Sequence, residues 1–315
     1  MDLFQNLIDI NYEKNISITG LTDGFFCAYL QTYIKKYKND VLIVVPSLYE
    51  ANKLYSALSK YDVDTLLFPM DDFLTSEALS ISPDLKTMRL ETLNALTEDN
   101  RTEKIVITHL DGYLRFLPTK KDYVDSIIKL KVGDSVDVKE LVERLLRIGY
   151  KRETLVTTTG EIGIRGYIID IFPLSENHPV RIEFFGDDIE SIRYFDETTQ
   201  KSIEEISKIE ILPNTEDVIL KNPDEKHKKL SLVDKKIVNI EDYLNNYVVF
   251  YKDINQLKVS YKKMVEDAFN YKKDKDQAFK GEYFLDFEKQ INEDAIYCYM
   301  LDNYLNNQKI SNYER

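Results

Sequence analysis

The first 120 residues alternate between short apolar runs and stretches in which apolar residues recur at helical spacing. Val41–Pro46 is apolar at every position, which is typical of a parallel strand buried on both faces and ended by its proline. Tyr49–Tyr61 has the spacing of one apolar helix face. Ser82 and Pro83 mark the start of a helix that runs to Leu96. The other predicted elements here are strands at Ile16–Thr19, Thr65–Phe68 and Lys104–Thr108 and a helix at Asp23–Lys36.

The pattern changes near residue 120. Val138–Ile148 has an amphipathic helical pattern that Gly149 ends. Short apolar runs then follow one another without helices between them, and the segment from Phe185 to Asp188 is typical of a hairpin turn. The runs predict strands at Glu153–Thr159, Gly166–Phe172, Val180–Phe185 and Ile189–Phe195. This order predicts an antiparallel α+β domain that ends near Pro213, after a first domain of α/β type with a parallel sheet.

The last hundred residues are rich in Lys, Asp and Tyr. Apolar runs predict strands at Ile237–Ile240 and Tyr247–Tyr251, and helical spacing predicts a helix over Leu257–Phe269. Asn270–Lys280 has mixed charge and few apolar residues, which favours a loop. We expect three segments, at residues 1–120, 121–213 and 214–315, and a chain that is part of a longer protein.

Composition narrows the classes of function. The formal net charge of −13 disfavours phosphate binding as the main activity, because phosphate contacts come from Lys and Arg. The two cysteines, Cys27 and Cys298, lie far apart and predict reduced thiols in a cytoplasmic protein. His109, His178 and His227 show no metal-ligand spacing. We therefore expect no metal and no cofactor, and no apolar run has the length of a membrane helix.

The turn after the first predicted strand occupies the position of a phosphate-binding loop. Such a loop needs GxxxxGK[ST], so that backbone amides and a lysine face the phosphates and a hydroxyl holds magnesium. From Gly20 onward, Phe25 stands at the second glycine position, Phe26 at the lysine position and Cys27 at the hydroxyl position. Asp23 adds a charge that repels phosphate. The pattern predicts a βα turn with Phe25 and Phe26 packed inward and no ATP bound.

The segments that follow the amphipathic helix carry a long and specific resemblance. They read RIGYKR at 147–152, GEIGIRGYIIDIFP at 160–173 and VRIEFFGDDIESIRYFD at 180–196, followed by Thr199 and Gln200. These residues resemble the domain, shared by UvrB and the transcription-repair coupling factors (Mfd), that binds UvrA. The resemblance extends well over about residues 15–213. Phe26 and the lack of a Tyr-rich hairpin after Pro69 favour the coupling factors over UvrB.

The resemblance implies a fold and a set of partners. The fold is an α/β parallel-sheet domain with a degenerate P-loop (RecA- or helicase-like), into which an antiparallel α+β UvrA-binding domain is inserted. The function implied is recruitment of UvrA to stalled RNA polymerase in transcription-coupled nucleotide excision repair, without ATPase activity in this part. The whole protein is expected to be an ATP-dependent DNA translocase of helicase superfamily 2. Its RNA polymerase and duplex DNA contacts lie outside this chain, and a carboxy-terminal domain masks the UvrA site.

Carried over by motif, the residues that meet UvrA are Arg152, Arg165, Arg181 and Phe185. Arginine suits this task because its planar fork pairs with carboxylates at two points. Gly163 stands where UvrB has a further arginine, which removes one expected contact. Strand alternation leaves open whether Phe185 is exposed or covered by a helix, and whether Arg165 and Arg181 share a face.

Two other functions compete with UvrA docking. A UvrB-type damaged-DNA-binding module is disfavoured by the net charge of −13 and by the absence of interleaved basic and aromatic residues. An ATPase is disfavoured by Phe26. A salt-dependent DNA titration and a nucleotide thermal-shift assay distinguish them from docking.

Overall fold

The computed structural model describes residues 16–61, 63–71, 82–98, 101–216, 237–274 and 284–300. They divide into two compact units, Met1–Phe116 with Val238–Arg315 and Leu117–Ile237. Among the described residues, no helix is both long and apolar enough to cross a membrane. The segment after Pro69 that is predicted to lack a Tyr-rich hairpin falls at 72–81, outside the described residues, as does His227.

The first unit is built on a parallel six-stranded sheet with the order β1-β14-β13-β2-β4-β3. Its strands are β1 (Ser17–Leu21), β2 (Asp40–Val45), β3 (Thr65–Phe68), β4 (Ile105–His109), β13 (Tyr247–Lys252) and β14 (Ile296–Met300). All six residues of β2 are buried, as its continuous apolar run predicts. The predicted parallel α/β sheet is therefore confirmed, and it draws strands from both ends of the chain.

The six described α-helices of this unit are α1 (Asp23–Tyr37), α2 (Leu48–Leu58), α3 (Pro83–Thr97), α4 (Leu110–Tyr113), α7 (Ile254–Asp274) and α8 (Phe287–Gln290). Four of them, α1, α2, α3 and α8, begin at a side-chain cap. Ser82 accepts a hydrogen bond from the backbone N–H of Leu85, with Pro83 at the first helical position, which confirms the predicted start of α3.

Two predictions for this unit are wrong. Ile237–Ile240 does not form a strand, because the Asn239 side chain accepts from the N–H of Glu241 at 3.0 Å and starts a 3-10 helix, Ile240–Tyr243. The loop predicted from Asn270 begins too early, since α7 continues to Asp274. Residues 275–280 of that predicted loop lie outside the described residues.

The second unit contains a six-stranded sheet with the order β11-β10-β9-β8-β7-β6 and a two-stranded sheet of β12 and β5. The helices are α5 (Lys120–Asp125) and α6 (Val138–Arg147), and the strands are β5 (Ile128–Lys131), β6 (Lys151–Arg152), β7 (Glu161–Arg165), β8 (Ile168–Ile171), β9 (Val180–Phe185), β10 (Asp188–Phe195), β11 (Ser202–Ile206) and β12 (Lys208–Ile211). All pairings are antiparallel except that of β6 with β7. Leu141 and Leu145 of α6 are fully buried in the core of this unit, which confirms the predicted amphipathic helix.

The predicted strand Glu153–Thr159 is wrong. The carboxylate of Glu161 accepts from the backbone N–H groups of Thr157 and Thr158 at 2.9 Å each, and Gly160 turns the chain with φ +87°. These bonds fold the segment into a loop between β6 and β7. The β-branched Thr157–Thr159 run resembles a strand in sequence, but its backbone groups are used by the loop.

Candidate docking face

One face of the six-stranded sheet of the second unit brings together three of the four residues predicted to bind a partner. The register pairs Arg165 with Ile168 and Ile168 with Glu183, and it pairs Asp170 with Arg181. Residues directly opposite each other on neighbouring strands point to the same face, and side chains two positions apart along a strand do so as well. Arg165, Arg181 and Phe185 therefore share the face opposite the core, which we call the docking face.

A single carboxylate joins the two arginines of the docking face. Asp170 is 1% exposed, and its two oxygens accept from Nε of Arg181 at 2.6 Å and from Nη2 of Arg181 at 2.9 Å. Nη2 of Arg165 donates to the same carboxylate. The hydrogen bonds to Asp170 raise the pKa of Arg181, so the guanidinium stays charged. Two cations around one anion leave this cluster with a net positive charge.

Arg181 uses more of its hydrogen-bond donors within the chain than Arg165 does. Arg181 is only 14% exposed at its side chain, stacks 4.5 Å from the ring centre of Phe195 and reaches the carbonyl oxygen of Gln200 at 3.5 Å. Nε2 of Gln200 donates a hydrogen bond of 2.9 Å to the carbonyl oxygen of Glu197, and the Gln200 backbone has φ +61°. Arg165 is 50% exposed and makes no further hydrogen bond within the described residues. Of the two, Arg165 is thus the more accessible cation.

Phe185 stands at the end of β9 beside the turn to β10. Its side chain is 79% exposed, which answers the question that strand alternation leaves open. Gly186 makes the turn with φ +66°, and Phe185 pairs with Asp188, so the predicted hairpin is confirmed. Tyr167, at the neighbouring β7–β8 turn, is 67% exposed and accepts from the N–H of Phe184 at 2.8 Å through its backbone. Two exposed aromatic side chains therefore occupy the same end of the sheet.

Arg152 is placed differently from the other three residues. It lies in the two-residue edge strand β6, where Lys151 pairs with Glu161 and Arg152 pairs with the buried Ile162. This register puts Arg152 on the face that carries Ile162, opposite the docking face. Arg152 is exposed and has no hydrogen bond or ion pair in the described part of the chain.

Gly163 lies on the docking face directly opposite Asp170. A Cβ atom here would meet Val156 Cγ2 at 3.3 Å and Cβ of Asp170 at 3.8 Å. A side chain at this position would therefore press against Val156. The glycine leaves Asp170 to those two arginines alone.

The turn at the start of α1 departs in one respect from its predicted packing. Phe26 is fully buried, with its ring 6.4 Å from that of Phe250 in an edge-to-face arrangement, and Cys27 is buried beside it. Phe25 is 43% exposed, so the prediction that it packs inward is wrong. Successive residues of a helix point about 100° apart, and the core accommodates only the stripe that contains Phe26.

Asp23, in the first turn of α1, is paired with two lysines. Its carboxylate lies 2.6 Å from Nζ of Lys53 and 3.3 Å from Nζ of Lys252, which is 8% exposed at its side chain. Burial raises the pKa of Asp23, but the hydrogen bond from Lys53 and the charge of Lys252 outweigh burial and lower it. The first turn of α1 thus carries a negative charge that is paired with two lysines of the chain itself.

Sequence comparisons define the class of the second unit. Residues 128–216 match the model of the UvrB interaction domain family. These residues include the whole docking face, which therefore lies in the segment that is similar to this family.

Over a longer part of its length, the chain is similar to transcription-repair-coupling factors. The chain is 35% identical to that of Staphylococcus epidermidis strain RP62A over 219 residues, which is 69% of this chain and 18% of the relative. It is 32% identical to that of Bacillus subtilis strain 168 over 237 residues, or 74% of this chain and 20% of the relative. The resemblance inferred from the motifs is confirmed. The chain spans about a fifth of the length of these relatives.

Proposed function

We propose that this chain is a docking module that recruits UvrA for transcription-coupled nucleotide excision repair. The observation that carries the proposal is the docking face itself, within the segment that matches the UvrB interaction domain. It presents a net positive Arg165–Asp170–Arg181 cluster beside an exposed Phe185. Aromatic residues and arginines dominate the binding energy of protein interfaces. Arg152, on the opposite face of the edge strand, would meet UvrA only around the edge of the sheet.

The charge of the face indicates what the partner contributes. The chain has a formal net charge of −13, so a positive cluster is a local exception that steers an acidic partner surface toward it. Arg193 is paired with Glu183 on the same face and adds no net charge. The exposed donors of Arg165 suit one carboxylate of UvrA, with Phe185 inserted into an apolar pocket beside it.

The test is a titration of purified UvrA with wild-type and Arg181→Glu chains. Arg181→Glu places a second carboxylate against Asp170 and reverses the charge of the cluster, so binding is expected to be lost. Arg147→Glu, which reverses the charge of an exposed arginine on α6, is the matched control and should bind as the wild type does. Equal affinity of the Arg181→Glu and wild-type chains, both folded by circular dichroism, would contradict the proposal.

We further propose that this chain binds no ATP and has no ATPase activity. The support is the buried Phe26 at the lysine position and the Asp23 carboxylate paired with Lys53 and Lys252 at the start of α1. A bound nucleotide at 100 times its Kd would stabilise the fold by about 2.7 kcal/mol. No shift of the melting temperature is expected with millimolar Mg-ATP, and a clear upward shift would refute the proposal.

In the whole protein, the module would bring UvrA to stalled RNA polymerase. The polymerase and duplex DNA contacts, the ATP-dependent translocase activity and a carboxy-terminal domain that masks the docking face all belong to regions outside this chain. If masking operates, this chain binds UvrA more tightly than the whole protein does. Comparing the UvrA affinities of the two lengths tests it, and tighter binding by the whole protein would contradict it.

A further inference from the structure

We infer that Asp170 is a positioning residue for partner binding, which holds both arginines of the docking face in their binding arrangement. The inference rests on the proposed docking function and adds a residue that does not itself touch the partner. Asp170 is 1% exposed, so a partner that approaches the face meets the guanidinium groups and not the carboxylate.

The geometry shows what the carboxylate does. Asp170 Oδ1 accepts from Nε of Arg181, and Oδ2 is shared between Nη2 of Arg181 and Nη2 of Arg165. The two guanidiniums meet at one oxygen, where two like charges would repel each other if the anion were absent. Asp170 therefore keeps Arg165 and Arg181 side by side and reduces their combined charge from two to one.

Asp170 also binds the two arginines in different ways, so that one is held firmly and the other stays exposed. The two-point bond with Asp170 uses one edge of the Arg181 guanidinium, and Phe195 covers its flat face. Arg165 gives one nitrogen to the carboxylate and remains 50% exposed. Ordering a long side chain costs entropy on binding, and a side chain that is already held loses less. Asp170 thus holds Arg165 in a fixed position beside Arg181.

The opposite strand leaves room for this arrangement. Asp170 pairs across the sheet with Gly163, and no side chain from that position competes for its oxygens. On the other side Asp170 pairs with Arg181, whose guanidinium group binds the Asp170 carboxylate. An acidic residue in the middle of the apolar run Ile168–Ile171 is otherwise costly to bury, and here both of its oxygens are used.

The experiment is a coupling measurement with purified UvrA. Asp170→Asn keeps the shape of the side chain but removes the charge that holds the arginines. We expect UvrA affinity to fall about tenfold in the wild-type background. In a chain that already carries Arg165→Ala and Arg181→Ala, the same change should alter affinity less than about twofold, because no arginine remains to be positioned.

Asp40→Asn is the matched control. Asp40 is a buried carboxylate of the first unit that holds Arg101 at 2.5 Å, so its loss perturbs a similar ion pair away from the docking face. Its UvrA affinity should match that of the wild type. A tenfold loss from Asp170→Asn that persists in the arginine-free background would overturn the inference, as would wild-type affinity of Asp170→Asn alone.

The outcomes separate the inference from the proposed function. If the double arginine variant binds UvrA as the wild type does, the proposed docking face fails. If that variant loses binding while Asp170→Asn keeps it, only the role of Asp170 fails. Should Asp170→Asn not fold, Asp170→Glu keeps the charge but shifts the carboxylate by one methylene. Reduced UvrA affinity of folded Asp170→Glu supports positioning, and unchanged affinity contradicts it.

Discussion

Replacing Phe185 with alanine separates binding from folding more cleanly than any other change on the docking face. The side chain is 79% exposed in the free chain, so its removal takes little from the core. Surface substitutions away from special features usually change stability by less than about 0.5 kcal/mol. We therefore expect the free energy of unfolding of Phe185→Ala to stay within that margin of the wild type.

The effect on binding follows from the exposed area. A phenylalanine buries about 150–250 Å² when it is fully covered. With 79% of the side chain open, docking can cover most of this area, and at about 25 cal/mol per Å² the gain is about 3–5 kcal/mol. Alanine keeps the Cβ atom, and ordering a side chain at an interface costs entropy. We therefore expect Phe185→Ala to lose about 2–4 kcal/mol of binding free energy. That loss weakens affinity by about 30-fold or more.

The assay is isothermal titration calorimetry of purified UvrA with each chain, together with urea unfolding of the free chains. Phe269→Ala is the matched control, because Phe269 is 67% exposed but lies on α7 in the other unit. It should bind UvrA with wild-type affinity. The reasoning is refuted if Phe185→Ala binds within about twofold of the wild type, or if Phe269→Ala loses as much affinity as Phe185→Ala.

Three further outcomes follow from the same structure. Tyr167→Ala, at the turn next to Phe185, should weaken UvrA binding without lowering the melting temperature, and unchanged affinity would show that UvrA does not contact this turn. Phe26→Lys puts a charge into a fully buried site, so urea unfolding should show that the free energy of unfolding falls by about 3–5 kcal/mol. Mg-ATP should not shift the melting temperature of this variant, and ATP binding by it would contradict our account of the turn. Burial lowers the pKa of His109 from 6.5 to about 4, so the unfolded chain binds the proton more tightly. Stability should therefore fall as the pH drops from about 6.5 to 4, by up to about 3 kcal/mol, and His109→Gln should show a flatter dependence in urea titrations.

Local sequence signals predict much of the fold, because they act over a few residues. Residues 41–45 of β2 predict a buried strand, because each of them is apolar. Ser82 and Pro83 predict the start of α3, because capping depends only on residues next to the helix end. Asn239 shows the limit of such signals. Its run is apolar enough for a strand, yet its side chain caps a 3-10 helix, and the choice is made by a single hydrogen bond.

The candidate site is predictable in its residue types but not in its arrangement. The motifs indicate Arg165, Arg181 and Phe185, but strand register decides whether they share a face, and a one-residue slip reverses the answer. Asp170 carries a signal in sequence as a charge within an apolar run. Gln200 belongs to the quoted motif, but the sequence does not predict its contact with Arg181, which forms only when the turn after β10 folds.

The central claim is that UvrA docks on the face that bears Arg165, Arg181 and Phe185. Amide hydrogen exchange of the chain with and without saturating UvrA tests it most directly, because it maps contact without any substitution. The account predicts slower exchange at the β7–β8 turn around Gly166 and at the turn from Phe185 to Asp188, and no change in the first unit. Protection confined to the first unit, or none at saturating UvrA, would contradict it.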